Sequence, residues 1–500
     1  MNDQGLGSWP RRRARMTPDK AALVQDGRRM SYRQLELTST RLAHGLRARG
    51  VGPGDRVAFL GLNSMELVTA MFATASLGAV FVPLNTRLAA PELRYVLDNS
   101  EPATVLCEDT LATPDVAAML DEIGVATYVF SRNAGDGLRA LEADDESPVD
   151  DTVGHDDLFM IQYTSGTSGR PKGVQLTHGN VIWNVMNLMV DVDLGSEEVA
   201  LVTAPLFHTA ALNQVLFPTI LKGGTALLEA RFDPVRAIDL IESEGVTLLF
   251  GVTSMYLALS DTERFGSADL TTLRTALSGG APIPEALLRV WLDRGLMIVQ
   301  GYGLTEASPG STMLRASDGI RKLGSAGTAC FFTDVRVVDG AGDPVTGEPG
   351  EVQVSGPNVT PGYWRDQSAS DRAFSDSWLH TGDLATVDGE GYLRIVGRLK
   401  DMYISGGENV YPAEVESALY EHPDVIEAAV IGIPDPTWGE VGRAFVVAAP
   451  GSCLDQDGLI AHLDGRLARY KLPRSVVFLD DLPHNASGKL MKSQLREVNP

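Results

Sequence analysis

Between Tyr163 and Gly173 the chain reads YTSGTSGRPKG, which crowds hydroxyls, glycines and one lysine into a single loop after an apolar run. Glycines let backbone amides turn towards a phosphate, hydroxyls add donors, and Lys172 supplies positive charge. The chain carries a formal net charge of -23, so a polyanionic ligand has to be held by local groups of this kind, and the loop reads as a polyphosphate cradle. Its spacing is not the Walker pattern GxxxxGKS/T, because Pro171 stands where the second glycine is required, which disfavours a P-loop kinase.

Further segments with chemistry follow: APLFH (Ala204 to His208), SGGAP (Ser278 to Pro282), GYGLTE (Gly301 to Glu306), HTGD (His380 to Asp383), GRLKDMYISGGENVYPAEVE (Gly397 to Glu416) and NASGK (Asn485 to Lys489). Taken with the loop, and in this sequence, they resemble the motifs of the acyl-adenylate-forming superfamily, which contains acyl-CoA synthetases, peptide-synthetase adenylation domains and luciferases. The likeness covers nearly the whole chain. VPLNTRLAAPEL, SAGT and RYKLP make it most similar to bacterial fatty-acyl and aryl CoA ligases.

The resemblance implies an AMP-forming acid–thiol ligase with ATP, Mg²⁺ and coenzyme A. A small-molecule carboxylic acid would become acyl-AMP with pyrophosphate release, and the acyl group would then pass to CoA. Two other acceptors share the first half-reaction: a carrier-protein thiol, or nitrite in an ATP-dependent diazotisation. A catalytically dead ATP-binding scaffold is disfavoured by the joint presence of Thr305, Glu306, Asp383, Arg398 and Lys489.

The implied roles agree with what each residue type can do. Thr164, Ser165, Gly166, Thr167, Ser168, Gly169 and Lys172 would hold the phosphates, and Gly279, Gly280 and Ala281 would lie by the nucleotide and the acid. Within Gly301, Tyr302 and Gly303, the Tyr302 ring offers a flat face to adenine. Thr305 offers a hydroxyl to the α-phosphate and Glu306 a hard oxygen to Mg²⁺. Asp383 can accept from both ribose hydroxyls while Arg398 donates from the other side. In relatives the lysine matching Lys489 bridges carboxylate and α-phosphate, two anions that must approach each other. The position of His208 borders the carboxylate and gates the thiol, although a core histidine satisfied by a backbone carbonyl is the alternative. Lys400 matches the hinge of a rotating C-terminal domain, and Gly406 and Gly407 would line a narrow pantetheine tunnel. The acid pocket, carried over from relatives, would be lined by His208, Thr209, Asn213, Gly251 to Tyr256, Gly279 to Ala281 and Ala307 to Pro309. Small residues dominate there, which suits a bulky acyl or aryl chain better than acetate.

These groups must be positioned by a large scaffold. Five hundred residues exceed what one core usually organises, and a hydrophobic fraction of 44% with 21% charged residues is that of a folded globular chain. We expect residues 1–398 as an N-terminal ATP- and acid-binding domain and 399–500 as a small mobile α+β domain. Short apolar runs alternate with helical segments: RVAFLG, a helix from Met65 to Leu77, AVFVPL, PELRYVLDN and ATVLC; then LFMIQY, ALVTA, TALL, TLLFGV and LRTAL, with a helix from Pro284 to Arg294. That alternation predicts an α/β fold of doubly wound, mainly parallel sheets with helices on both faces. From Asp334 the pattern DVRVVD, GEVQVSG and GYLRIVG predicts a smaller antiparallel region.

The acidic balance argues against nucleic acid and anionic lipid as partners. Arg11, Arg12, Arg13 and Arg15 read as the solvated face of a first helix, and Glu142 to Asp157 as an acidic surface linker without chemistry. Cys107, Cys330 and Cys453 show neither disulfide nor zinc spacing. No apolar run approaches the roughly 20 residues of a membrane span, and the N-terminal residues lack a signal-peptide core. A cytoplasmic location is expected, with a homodimer left open.

Overall fold

The computed structural model describes residues 4–132, 137–149, 151–164, 171–280, 283–405, 408–464, 466–484 and 490–498. Two large sheets carry most of the chain. One has six strands in the order Ala126–Phe130, Thr104–Glu108, Arg56–Leu60, Val80–Pro83, Leu158–Thr164 and Lys172–Thr177. Its pairs are parallel up to Leu158–Thr164, but the last pair is antiparallel and matches Thr164 with Lys172. The polyphosphate loop is therefore the connection of a hairpin and not a strand-to-helix crossover.

The second sheet has nine strands, ordered Thr328–Ala329, Gly310–Met313, Ile298–Gly303, Thr275–Ser278, Leu248–Gly251, Val199–Val202, Thr225–Leu228, Ala21–Gln25 and Arg28–Ser31. It is parallel in the middle and antiparallel at both edges. The alternating pattern accounts for the central strands. It misses Ala21–Gln25, which joins this sheet although about two hundred residues separate it from its neighbour Thr225–Leu228.

Between the sheets lies the helix Met65–Ser76, opened by Ser64, whose hydroxyl accepts from the Leu67 amide at 3.1 Å. Its residues from Met65 to Ala75 are all buried, and the core formed there draws Phe59, Phe81 and Leu106 from one sheet and Leu23, Ala200 and Val202 from the other. A helix apolar all round is what such a position demands.

Strands Asp334–Val338, Gly350–Ser355, Phe374–Ser375, Trp378–Val387 and Leu393–Arg398 form a separate antiparallel sheet. After it, Tyr403–Ser405, Glu408–Val410, Val425–Asp435, Gly439–Ala448 and Ser475–Phe478 build a fourth sheet, under the helices Pro412–Tyr420 and Gln456–Leu463. No strand of this fourth sheet precedes residue 399. Among the described residues no helix is long and apolar enough to cross a membrane.

One expectation needs correction and another an addition. The arginines of the first helix, Trp9–Met16, are not all solvated: Arg11, Arg12 and Arg13 are half-buried, and Arg13 Nε donates to Ile220 O at 3.1 Å, docking the helix on the core. The acidic stretch after Glu142 lies on the surface but is strapped down. Arg41 pairs with Glu146, Arg47 with Asp151, and His44 Nε2 lies 2.8 Å from Ser147 O, all from the helix Tyr32–Arg47.

Candidate active site

Tyr302, Asp383 and Arg398 come from three strands and meet at one carboxylate. Asp383 and Arg398 face each other across the antiparallel pair Trp378–Val387 and Leu393–Arg398. Arg398 Nε lies 2.8 Å from Asp383 Oδ1, and the Tyr302 hydroxyl donates to Asp383 Oδ2 at 2.8 Å. Asp383 is only 6% exposed, so both contacts compensate a charge taken largely out of water. Burial and the adjoining Asp383 charge hold the Tyr302 phenol protonated far above ordinary pH. A carboxylate has about four acceptor sites, so two contacts leave room for hydroxyls of a sugar. The turn before Asp383 is fixed by Glu351, whose Oε1 accepts from the Gly382 amide at 3.1 Å and whose Oε2 lies 2.9 Å from His380 Nδ1.

The second cluster is built around Glu306. Gly303 ends its strand so close to the next one that a Cβ there would lie 1.6 Å from Pro309 O; only glycine fits. The turn Thr305–Ala307 follows, and Asn358 Nδ2 clasps it by donating to Ala307 O at 2.8 Å and to Gly310 O at 2.9 Å. The Thr360 amide donates to Glu306 O at 2.7 Å, and the Tyr363 hydroxyl donates to Glu306 Oε1 at 2.8 Å. The Tyr363 ring lies 4.9 Å from Lys172 Nζ. Lys172, at the end of the polyphosphate loop, and Glu306, in a turn between two strands of the other large sheet, are thus joined through one tyrosine. Gly279 and Gly280 follow the strand next to that of Tyr302, where a Cβ on Gly279 would meet Gly301 O at 3.2 Å.

On a third side stands the PLFH segment. The Gln162 side-chain amide donates to Phe207 O, tying it to the strand that leads into the loop. His208 Nε2 is buried with no hydrogen-bond partner among the described residues, so the alternative of a histidine satisfied by a backbone carbonyl of those residues does not describe that nitrogen. Burial, assisted by the charge of Arg87, lowers its pKa to about 4, which keeps the ring neutral at ordinary pH. Asn213 Nδ2 donates to Ser308 O at 2.9 Å, bringing that part of the expected acid pocket together. Tyr256 does not belong there: it is fully buried, its hydroxyl donates to Leu277 O at 2.9 Å, and its ring meets Trp291 edge-on at 5.1 Å. The requirement to satisfy a buried phenol makes it a core residue.

The AMP-binding enzyme family matches residues 10–364, and its C-terminal domain matches residues 414–489. Feruloyl-CoA synthase of an Amycolatopsis species is 52% identical over 497 residues, covering 99% of each chain. The chain belongs to the AMP-binding enzyme family. Indoleacetate–CoA ligase of Aromatoleum aromaticum is 41% identical over 99% of this chain and 98% of its own. The solved structure of o-succinylbenzoate CoA synthetase from Bacillus subtilis in complex with ATP and magnesium superposes with a TM-score of 0.88 at 34% identity, over 98% of this chain and 99% of that one. The similarity to these CoA ligases over nearly the whole chain puts it in the acid–thiol ligase class expected from the motifs.

As an AMP-binding enzyme the chain has two residues that sequence reasoning passed over. Tyr363 sits in TPGYW, where only an aromatic beside glycine signals anything, and Glu351 resembles any strand carboxylate. Lys400 lies exposed in the turn after Arg398, and Thr305 is half-buried beside Glu306. Ser165, Gly166, Thr167, Ser168, Gly169, Ala281, Gly406, Gly407 and Lys489 lie outside the described residues.

Proposed function

We propose that this AMP-binding enzyme converts an arylpropenoic acid of the ferulic-acid kind into its CoA thioester, using ATP with Mg²⁺ and releasing pyrophosphate and AMP. One observation carries the reading: two braced carboxylates, Asp383 and Glu306, stand on a scaffold that is 52% identical to a feruloyl-CoA synthase end to end. Asp383 suits two sugar hydroxyls. Glu306, a hard anionic oxygen held on one side by a hydroxyl and forming no ion pair among the described residues, suits a divalent cation. Bound there on Glu306, Mg²⁺ would neutralise phosphate charge.

In the first step an oxygen of the acid attacks the α-phosphorus, the bond to the β-phosphate bridge breaks, and pyrophosphate departs. There is little covalent work for the protein, whose part is alignment and charge neutralisation. Lys172 and the loop amides hold the leaving phosphates, Thr305 the α-phosphate, and Lys489 spans the two anions. Tyr302, Asp383 and Arg398 fix the nucleoside so that the attack is in line. In the second step a thiolate attacks the acyl carbonyl and the bond to AMP breaks. His208, neutral and without a partner at Nε2 among the described residues, stands by the acyl group as a polar wall that does not compete for the carboxylate's charge. We assign the two steps to two orientations of residues 399–500 about Lys400.

The test is pyrophosphate release and thioester formation with free CoA across ferulate, indoleacetate, palmitate and acetate. Ferulate should give the highest kcat/KM. A palmitate value exceeding it would move the acid class to fatty acids, and adenylation without thioester from free CoA would replace CoA by another acceptor.

A further inference from the structure

Residues 360–364 run across the site as a brace between elements distant in sequence. The Thr360 amide donates to Glu306 O, and the Thr360 hydroxyl donates to Gln175 O at 2.5 Å. Gly362 O accepts from the Gln175 amide, Tyr363 pairs with Val174 as an antiparallel bridge, and the Trp364 amide donates to Gly173 O at 2.7 Å. The same few residues therefore grip the strand leaving the polyphosphate loop and the turn that carries Glu306. Tyr363 is the member whose side chain reaches both functional groups, with its hydroxyl on Glu306 Oε1 at 2.8 Å and its ring 4.9 Å from Lys172 Nζ.

We infer that Tyr363 is a positioning residue that sets Glu306 for the divalent cation and Lys172 for the phosphates, so that the two arrive in register on one nucleotide. The inference rests on the reading of Glu306 as the Mg²⁺ ligand. A carboxylate with a free side chain rotates, and an ammonium on a four-carbon stem wanders over several ångströms. A hydroxyl donated to one carboxylate oxygen turns the other towards a ligand, and outer-shell hydrogen bonds of this kind commonly change metal affinity by about 10–100-fold. The aromatic face holds the ammonium by its quadrupole without neutralising it, which a carboxylate partner would do. Tyr363 can serve both at once because its ring and its hydroxyl are different chemical surfaces.

The backbone of Tyr363 is anchored independently of the side chain, since its amide donates to Ser370 Oγ at 2.9 Å. Tyr363→Phe should then remove only the hydroxyl, and Tyr363→Leu the hydroxyl and the aromatic face. The experiment is calorimetric titration of ATP into the full-length enzyme without acid, over a series of Mg²⁺ concentrations, on the parent, both Tyr363 variants and Glu306→Gln. Tyr363→Phe should raise the Mg²⁺ midpoint for ATP binding about tenfold and leave ATP affinity at saturating Mg²⁺ within about twofold of the parent. Tyr363→Leu should show the same midpoint shift and, in addition, ATP binding weaker by about fivefold at saturating Mg²⁺. If Glu306→Gln shifts the midpoint and Tyr363→Phe does not, the assignment of Tyr363 fails and the Glu306 reading stands. If Glu306→Gln leaves the midpoint unmoved, the Glu306 reading fails and takes the role of Tyr363 with it. Should Tyr363→Leu not fold, the Phe variant decides.

Discussion

The nucleotide side and the acid side of the site are built on opposite principles. On the first, Asp383 is held by Tyr302 and Arg398, Glu306 by Tyr363, and the HTGD turn by Glu351. On the second, His208 Nε2, Gln162 Oε1, Ser308 Oγ and, next to Asn213 in sequence, Gln214 Oε1 are buried without a hydrogen-bond partner among the described residues. A buried polar atom left unpaired costs roughly 1–3 kcal/mol, so these atoms carry an energetic deficit that the braced carboxylates Asp383 and Glu306 do not, although Ser278 Oγ and Gln300 Nε2, on the strands leading to the nucleotide, share it. The nucleotide is the same in every turnover and its partners can be preorganised. The acid side, by contrast, keeps polar atoms unpaired among the described residues, and whether a bound acid repacks and completes them is what the following changes test.

The comparison can be broken in several places. The largest effect belongs to a residue on neither side: Lys489→Ala should slow acyl-adenylate formation by on the order of a hundredfold, while thioester formation from supplied acyl-adenylate changes little. Equal losses in both half-reactions, measured separately, would remove Lys489 from the first step alone. Next comes Asp383→Asn, which loses the anion that both Arg398 and Tyr302 address; KM for ATP should rise by on the order of tenfold or more with KM for the acid within about twofold. Steady-state kinetics with each substrate varied in turn would show whether the loss spreads to the acid side.

A smaller effect, with a telling sign, is expected on the other side. Ser308→Ala deletes an unpaired hydroxyl, so the free enzyme should gain about 1 kcal/mol and melt a few degrees higher by calorimetry, while KM for ferulate rises about threefold. A lower melting temperature would mean that Ser308 is already satisfied. The last change concerns pH. With the His208 pKa lowered to about 4 by burial, KM for the acid should show no inflection near pH 6.5 that Asn or Gln at this position abolishes. The folded pKa lies below the unfolded value of 6.5, so the unfolded state binds the proton first, and the contribution of His208 to stability is complete above 6.5 and lost as pH falls towards 4. His208→Gln should therefore spare on the order of 3 kcal/mol of the acid-induced destabilisation at pH 4, read from melting temperature against pH.

Legibility divides along similar lines. Strand runs such as TALL and TLLFGV could be read directly because burial on both faces leaves no polar positions to confuse the pattern. Asp383, Arg398, Tyr302 and Glu306 could be singled out because their chemistry is rare in such loops, yet no pattern discloses that three of them share one carboxylate. That depends on the register matching Asp383 with Arg398 across a hairpin. Tyr363 was invisible because its partner Glu306 is 57 positions away and a lone tyrosine carries no charge signal. Tyr256 was misplaced for a related reason: its neighbours in sequence border the expected pocket, whereas its ring turns inwards to Trp291.

The antiparallel pairing of Leu158–Thr164 with Lys172–Thr177 has a consequence for how this enzyme tolerates change. Thr164 faces Lys172 on one ladder, so the sheet itself holds the two ends of the polyphosphate loop side by side. A change in the length of the connection between them should therefore act on this pairing as well as on turnover, because in a hairpin the connection helps to fix the register. For anyone wishing to retune this catalyst, exchanges that keep the length of that connection are the ones to try first.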